Sequence, residues 1–135
     1  MPKVSETFKE FNLTPTQFGV MDMLNAKGRM KISELIDCML ATSGNMTVVI
    51  KNMEKKGWLI RKACQTDKRA FEIDLTDEGR RIIQAAIPHI SEQLMRLFSV
   101  LSPDEQSQLV ELLKNLRMSE QRFLYIYTKI NYITT

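Results

Sequence analysis

Apolar residues recur along this chain at two spacings, and the places where the spacing changes mark its elements. Thr14-Pro15-Thr16-Gln17 is a capping box with Pro at the first helical position, followed by Phe18, Met21 and Leu24, so a helix opens at Pro15. Gly28 stops it, and residues 29–31 are short enough for a small strand. Leu35, Ile36 and Met39 predict a helix over about 32–40. Few residues separate it from another helix, which opens at Ser43. In that helix Met46, Val49, Ile50 and Met53 fall at i, i+3, i+4 and i+7 and form the inward stripe. Gly44, Val48, Lys51, Asn52 and Lys55 lie opposite, with Asn45 and Thr47 on the flanks. Two short helices joined by so tight a turn predict a helix-turn-helix.

Beyond Glu54-Lys55-Lys56-Gly57 the period falls to two. Trp58 and Ile60, then Phe71, Ile73 and Leu75, are the alternating apolar positions of strands at 58–63 and 70–75, with a charged loop at 64–69 between them. Thr76 caps a long helix with Asp77 and Glu78 in its first turn, where the helix dipole favours acids. Ile82, Ile83, Ala86, Ile87, Ile90, Leu94, Leu97 and Phe98 continue its apolar face, and Pro88 is expected to kink it. Ser102-Pro103-Asp104-Glu105 is a second capping box, starting a helix whose stripe is Leu109, Leu112, Leu113 and Leu116. The tail at 122–135 is rich in apolar and aromatic residues and is expected to pack against a second copy of the chain. The expected fold is therefore mainly α with a small β-hairpin, in a single domain.

With 135 residues and 44% hydrophobic composition, the chain is long enough for one self-sufficient core. No apolar run is long enough to span a membrane, and the first residues lack the apolar core of a secretory signal. Two cysteines make no disulfide framework, so a cytoplasmic location is expected. The net charge of +3 is unevenly placed. Residues 43–69 hold seven bases (Lys51, Lys55, Lys56, Arg61, Lys62, Lys68, Arg69) and two acids (Glu54, Asp67), a net of five positive charges that leaves a net of two negative charges elsewhere. Positive charge thus gathers on the second helix of the pair and the hairpin, as a phosphate-contacting surface requires; a solvated basic face is the plainer reading. No Gly-rich phosphate loop or nucleophile motif is present, and His89 is the single histidine, so neither an enzyme, a cofactor nor a metal site is expected.

These residues resemble the MarR family of bacterial winged-helix regulators over 13–116. The likeness is densest in Ser43-Gly44-Asn45-Met46-Thr47, in Glu54-Lys55-Lys56-Gly57-Trp58-Leu59-Ile60-Arg61, in Asp67-Lys68-Arg69 and in Leu75-Thr76-Asp77-Glu78-Gly79. The resemblance implies a winged helix-turn-helix over about 14–76, flanked by dimerisation helices at about 1–12 and 77–133. It implies a homodimer that binds a pseudo-palindromic operator in double-stranded DNA and represses transcription until a signal releases it. The helix from Ser43 would enter the major groove, with Thr42, Ser43, Asn45, Thr47, Val48 and Lys51 facing the duplex. Asn45 suits a base edge, since an amide both donates and accepts at adenine; Val48 suits a thymine methyl, and Thr47 and Lys51 suit phosphates. In the wing, Arg69 resembles the family's minor-groove arginine, with Asp67 expected to hold its guanidinium and Lys62, Gln65 and Lys68 flanking on the backbone. On the residues alone, the plainer alternative is that Asp67 and Arg69 merely close the hairpin.

The resemblance also implies a small phenolic, quinone or other aromatic effector bound between the DNA domain and the dimer helices. Some relatives sense oxidants through cysteine, and the 61–69 segment resembles a wing of quinone-responsive members. Cys64 has basic neighbours, which favour a thiolate, whereas Cys38 lies on a helix whose apolar residues suggest burial. Peroxide sensors of the family carry their cysteine in the first helix, where this chain has none. The leading segment before Thr14 is shorter than in most relatives. An interaction module without operator binding is the rival reading, because winged helices also bind proteins.

Overall fold

The computed structural model describes residues 4–39 and 43–115. Thr42, Leu116 and the apolar tail at 122–135, all named above, lie outside them.

Among the described residues, six helices and three strands follow in the order α1 (Val4–Glu10), α2 (Pro15–Lys27), β1 (Met30–Lys31), α3 (Ile32–Met39), α4 (Ser43–Lys55), β2 (Leu59–Ala63), β3 (Phe71–Leu75), α5 (Asp77–Phe98) and α6 (Pro103–Lys114). The Thr14 box opens α2 as expected: its hydroxyl accepts from the Gln17 amide at 3.1 Å, and the Gln17 side chain accepts from the Thr14 amide at 3.0 Å. Gly28, at φ 80°, ends α2 with its amide on the Leu24 carbonyl. Between them α2 is buried at almost every position from Gln17 to Leu24, because α1, α3, β3 and α5 pack around it. It is the central rod of the fold, and the small strand after it leads straight into α3.

β3 is the middle strand of an antiparallel sheet in the order β1-β3-β2, with Met30 opposite Ile73 on one side and Leu59 opposite Leu75 on the other. The sheet was expected to take in Trp58, but β2 begins one residue later. The Trp58 amide is already committed to the Met53 carbonyl at 3.0 Å, while Gly57, at φ 77°, donates to Glu54. These two bonds form a Schellman cap, and glycine supplies the left-handed conformation it needs.

A dense junction follows. Thr76 donates from its amide to the Trp58 carbonyl at 3.0 Å and from its hydroxyl to the Gly57 carbonyl at 2.5 Å. The same hydroxyl accepts from the Gly79 amide at 3.0 Å and so caps α5. A Cβ on Gly79 would stand 2.1 Å from the Trp58 carbonyl oxygen, which makes glycine obligatory there. The end of α4, the start of β2, the end of β3 and the start of α5 therefore meet within one hydrogen-bonded knot.

From this knot α5 runs for 22 residues, about 33 Å, and its helix continues across Pro88. Its first half buries Ile83, Ala86, Ile87 and Ile90 against the core, while α1 packs alongside it. The Phe8 ring of α1 meets Phe18 edge-on at 5.3 Å, and Phe11 lies 5.3 Å from the ring of His89. That contact gives the lone histidine an ordinary packing role. Further along, Met95, Leu97 and Val100 are exposed, as is Leu112 on α6. The Ser102 box opens α6 with both of its bonds in place, and the Ser102 amide and hydroxyl hold the Glu105 carboxyl below the usual glutamate range.

Candidate nucleic-acid interface

Three fully buried side chains, Met46, Ile50 and Met53, fix the rotation of α4 about its axis. Each contributes about 1.5–3 kcal/mol to holding that face inward. The opposite face is then determined: Gly44, Asn45, Thr47, Val48, Lys51, Asn52 and Lys55 are all exposed. Val48 is 58% exposed, an uncommon state for a β-branched residue at the middle of a helix, and it sits among polar neighbours. Ser43 stands at the first position of this helix. The expected recognition residues Asn45, Thr47, Val48 and Lys51 are thus exposed on the outward side of α4, which follows α3 as the second helix of the pair.

The hairpin behaves differently at its two ends. At its tip Gln65, Asp67, Lys68 and Arg69 are all exposed. The turn is closed by the Cys64 amide on the Ala70 carbonyl and the Ala70 amide on the Asp67 carbonyl, both at 3.1 Å. The expected Asp67 clamp on the Arg69 guanidinium is corrected by the structure. The Asp67 carboxylate instead accepts from the Arg69 backbone amide at 3.0 Å, and no ion pair joins the two side chains. An Asx turn two residues long satisfies the carboxylate more cheaply than ordering a long, exposed arginine would. The guanidinium is left projecting from a fixed backbone.

Nearer the base the bases are engaged. Lys62 was expected to flank the tip, yet its ammonium lies 3.3 Å from Asp74 on the neighbouring strand. Arg61 places Nη2 2.8 Å from the Glu54 carboxylate on α4, and its guanidinium carbon is 5.7 Å from the centre of the Phe71 ring. Lys56 lies over Trp58 at 4.5 Å. Reasoning from the sequence missed the Glu54–Arg61 and Lys62–Asp74 pairs. The signal was present only as a carboxylate and a guanidinium seven residues apart across Gly57, and the register needed to join them is a tertiary fact.

Cys64 is buried, with its sulfur 3.2 Å from the Thr66 hydroxyl, and Cys38 is buried as its helix predicts. Burial removes Cys64 from the solvent access that sensing thiols need. Among the described residues no group of three His, Cys, Asp or Glu side chains could hold a metal ion, and no helix is long and apolar enough to cross a membrane.

Comparison with known proteins agrees with this geometry. The family model described as MarR family matches residues 13–71. The HTH-type transcriptional regulator YkoM of Bacillus subtilis is 38% identical over 117 residues, covering 87% of this chain and 76% of that protein. The HTH-type transcriptional regulator MhqR, also of Bacillus subtilis, is 32% identical over 111 residues, covering 82% and 77%. Among solved structures, a cysteine-to-serine variant of MarR from E. coli complexed with operator DNA superposes with a TM-score of 0.75 at 25% identity, covering 82% of this chain and 80% of that one. These matches are regulators rather than enzymes. With a helix-turn-helix, a three-stranded sheet carrying a basic hairpin and 38% identity to an HTH-type transcriptional regulator, the chain belongs to the MarR family of winged helix, DNA-binding transcriptional regulators.

Proposed function

We propose that the protein is a cytoplasmic, homodimeric repressor in which one domain spans 1–135, with the winged helix-turn-helix at about 14–76 and dimerisation helices at about 1–12 and 77–133. It seats α4 of each protomer in the major groove of a pseudo-palindromic operator and the hairpin tip in the adjacent minor groove. The observation that carries this reading is the single outward face of α4, where Asn45, Thr47, Val48 and Lys51 are exposed side by side while Met46, Ile50 and Met53 are buried behind them. Ser43 stands at the leading end of that helix, and Thr42 precedes it in the sequence. Asn45 reads a base edge, Val48 meets a thymine methyl, and Thr47 and Lys51 contact phosphates. At the tip Arg69 enters the minor groove on a backbone that Asp67 shapes, and Gln65 and Lys68 flank it. Lys62 contributes to the field while remaining on Asp74. The resemblance of the tip to the wing of known relatives supports this assignment.

Exposed Met95, Leu97, Val100 and Leu112 support a second copy of the chain against the α5–α6 end. Release by a small phenolic, quinone or other aromatic effector fits better than release by oxidation of Cys64 or Cys38, since both sulfurs are buried. The test is selection of duplexes from a randomised pool, followed by titration at two salt concentrations. Enrichment of a two-fold symmetric sequence, bound with steep salt dependence, is expected. Salt-insensitive binding to a protein, with no enriched sequence, would instead favour an interaction module. Screening phenols, quinones and peroxides for release of the selected duplex, with Cys64→Ser in parallel, separates ligand from redox control.

A further inference from the structure

Arg61 sits in the middle of the most basic stretch of the chain, yet it does not point into open solvent. Its Nη2 is 2.8 Å from the Glu54 carboxylate, and the two side chains are only 32% and 28% exposed. Its guanidinium carbon lies over the ring of Phe71, the first residue of β3, 5.7 Å from the ring centre. These three residues come from three elements: the last turn of α4, the centre of β2 and the tip end of β3. We infer that Glu54, Arg61 and Phe71 form a brace that sets the angle between α4 and the wing, so that they are positioning residues for operator recognition and touch no DNA themselves.

Geometry gives the reason for such a brace. Along the chain, α4 and β2 are joined only by the turn through Lys56, Gly57 and Trp58. From that turn the wing reaches about 20 Å to the end of β2. A swing of about 10° at the turn would therefore move the hairpin tip by about 3 Å, enough to take Arg69 out of line with a groove about 6 Å wide. A partly exposed ion pair adds little to folding stability. Across two recognition elements, however, a charged guanidinium–carboxylate hydrogen bond, with the guanidinium carbon lying over an aromatic ring, ties the angle between them. The brace also explains why an acid stands at Glu54, on the helix that faces DNA.

The inference rests on the operator reading above, and its test is built on the sign of one charge change. Glu54→Gln removes a negative charge from the DNA-binding region, so charge alone would tighten binding to every duplex. The brace requires the opposite on the operator. Affinity for the duplex selected by the wild-type chain should fall by about fivefold or more, while affinity for a scrambled duplex stays level or rises. Arg61→Lys, which keeps the charge and loses the planar guanidinium over Phe71, should fall part of the way. The exchange Glu54→Arg with Arg61→Glu should recover most of the operator-to-scrambled ratio. Thermal unfolding of each variant, with titrations run well below its midpoint, keeps loss of fold apart from loss of angle. The brace is overturned by operator binding that is unchanged or tighter in Glu54→Gln. It is equally overturned if the exchange fails to recover the ratio, or if Arg61→Gln lowers the salt slope on scrambled duplex by about 0.9, the mark of a direct phosphate contact. A wild-type chain that enriches no sequence at all would overturn the operator reading itself and the brace with it.

Discussion

The wing has a base and a tip that follow opposite rules. At the base, Gly57, Trp58, Thr76 and Gly79 are joined by backbone and hydroxyl hydrogen bonds of 2.5 to 3.0 Å, with no room for one more carbon. At the tip, Gln65, Lys68 and Arg69 are exposed, and the turn is held by three hydrogen bonds of its own. The base carries geometry and the tip carries chemistry. A side chain that must meet a phosphate or a base edge cannot already be satisfied internally, whereas the elements that aim it must be. In α4 the inward methionines and isoleucine set the rotation that brings its outward asparagine and lysine to the surface.

Substitutions should separate the two ends, and the largest effect is expected at the base. Gly79→Ala drives a methyl into the Trp58 carbonyl and should cost about 2–3 kcal/mol, lowering the unfolding midpoint by roughly 6–10 °C. A midpoint within a degree of wild type would show that α5 can pivot there and that the knot is looser than its contacts suggest. Thr76→Val removes both the cap on α5 and the bond to Gly57, for about 1–2 kcal/mol in chemical denaturation, and Thr76→Ser should restore most of it.

Substitutions at the tip or on the outward face of α4 should leave stability within about 0.5 kcal/mol and act on DNA instead. Asn45→Ala is expected to cost about 1–3 kcal/mol at particular base pairs and to relax preference there. Arg69→Ala should lose most on duplexes with narrow A·T minor grooves. Equal losses on all sequences for both variants would contradict the split between base reading and groove reading.

The smallest effect belongs to a capping box far from both ends. Hydrogen bonds from Ser102 lower the pKa of the Glu105 carboxyl, so its contribution is present above the ordinary glutamate value and fades as pH falls through the lowered one. Amide exchange in the first turn of α6 should accelerate over that acid range, and Glu105→Ala should abolish the pH dependence.

How much of this was legible in the sequence follows the same division. Caps and periodicities are local, so Thr14, Gly28, Thr76 and Ser102 announced their helices, and Met46, Ile50 and Met53 announced the rotation of α4. The strand boundary at Trp58 was missed by one residue because its amide is taken by a helix cap, a competition that apolar alternation does not register. The role of Asp67 was misassigned because Asp-x-Arg reads as an ion pair, while the folded turn presents the nearer backbone amide. The partners of Arg61 and Lys62 depend on how the hairpin folds back, so a net charge counted along the segment overstated the bases available to DNA.

The central claim is that two protomers set α4 and an arginine-tipped wing into neighbouring grooves of one duplex. Dimethyl sulfate footprinting on the selected duplex tests it most directly, because the reagent methylates guanine N7 in the major groove and adenine N3 in the minor groove. The account expects paired guanine protections about one helical turn apart, each with an adjoining adenine protection that Arg69→Ala alone erases. Guanine and adenine protections that vanish together in Arg69→Ala, or a wild-type footprint confined to one groove, would contradict it.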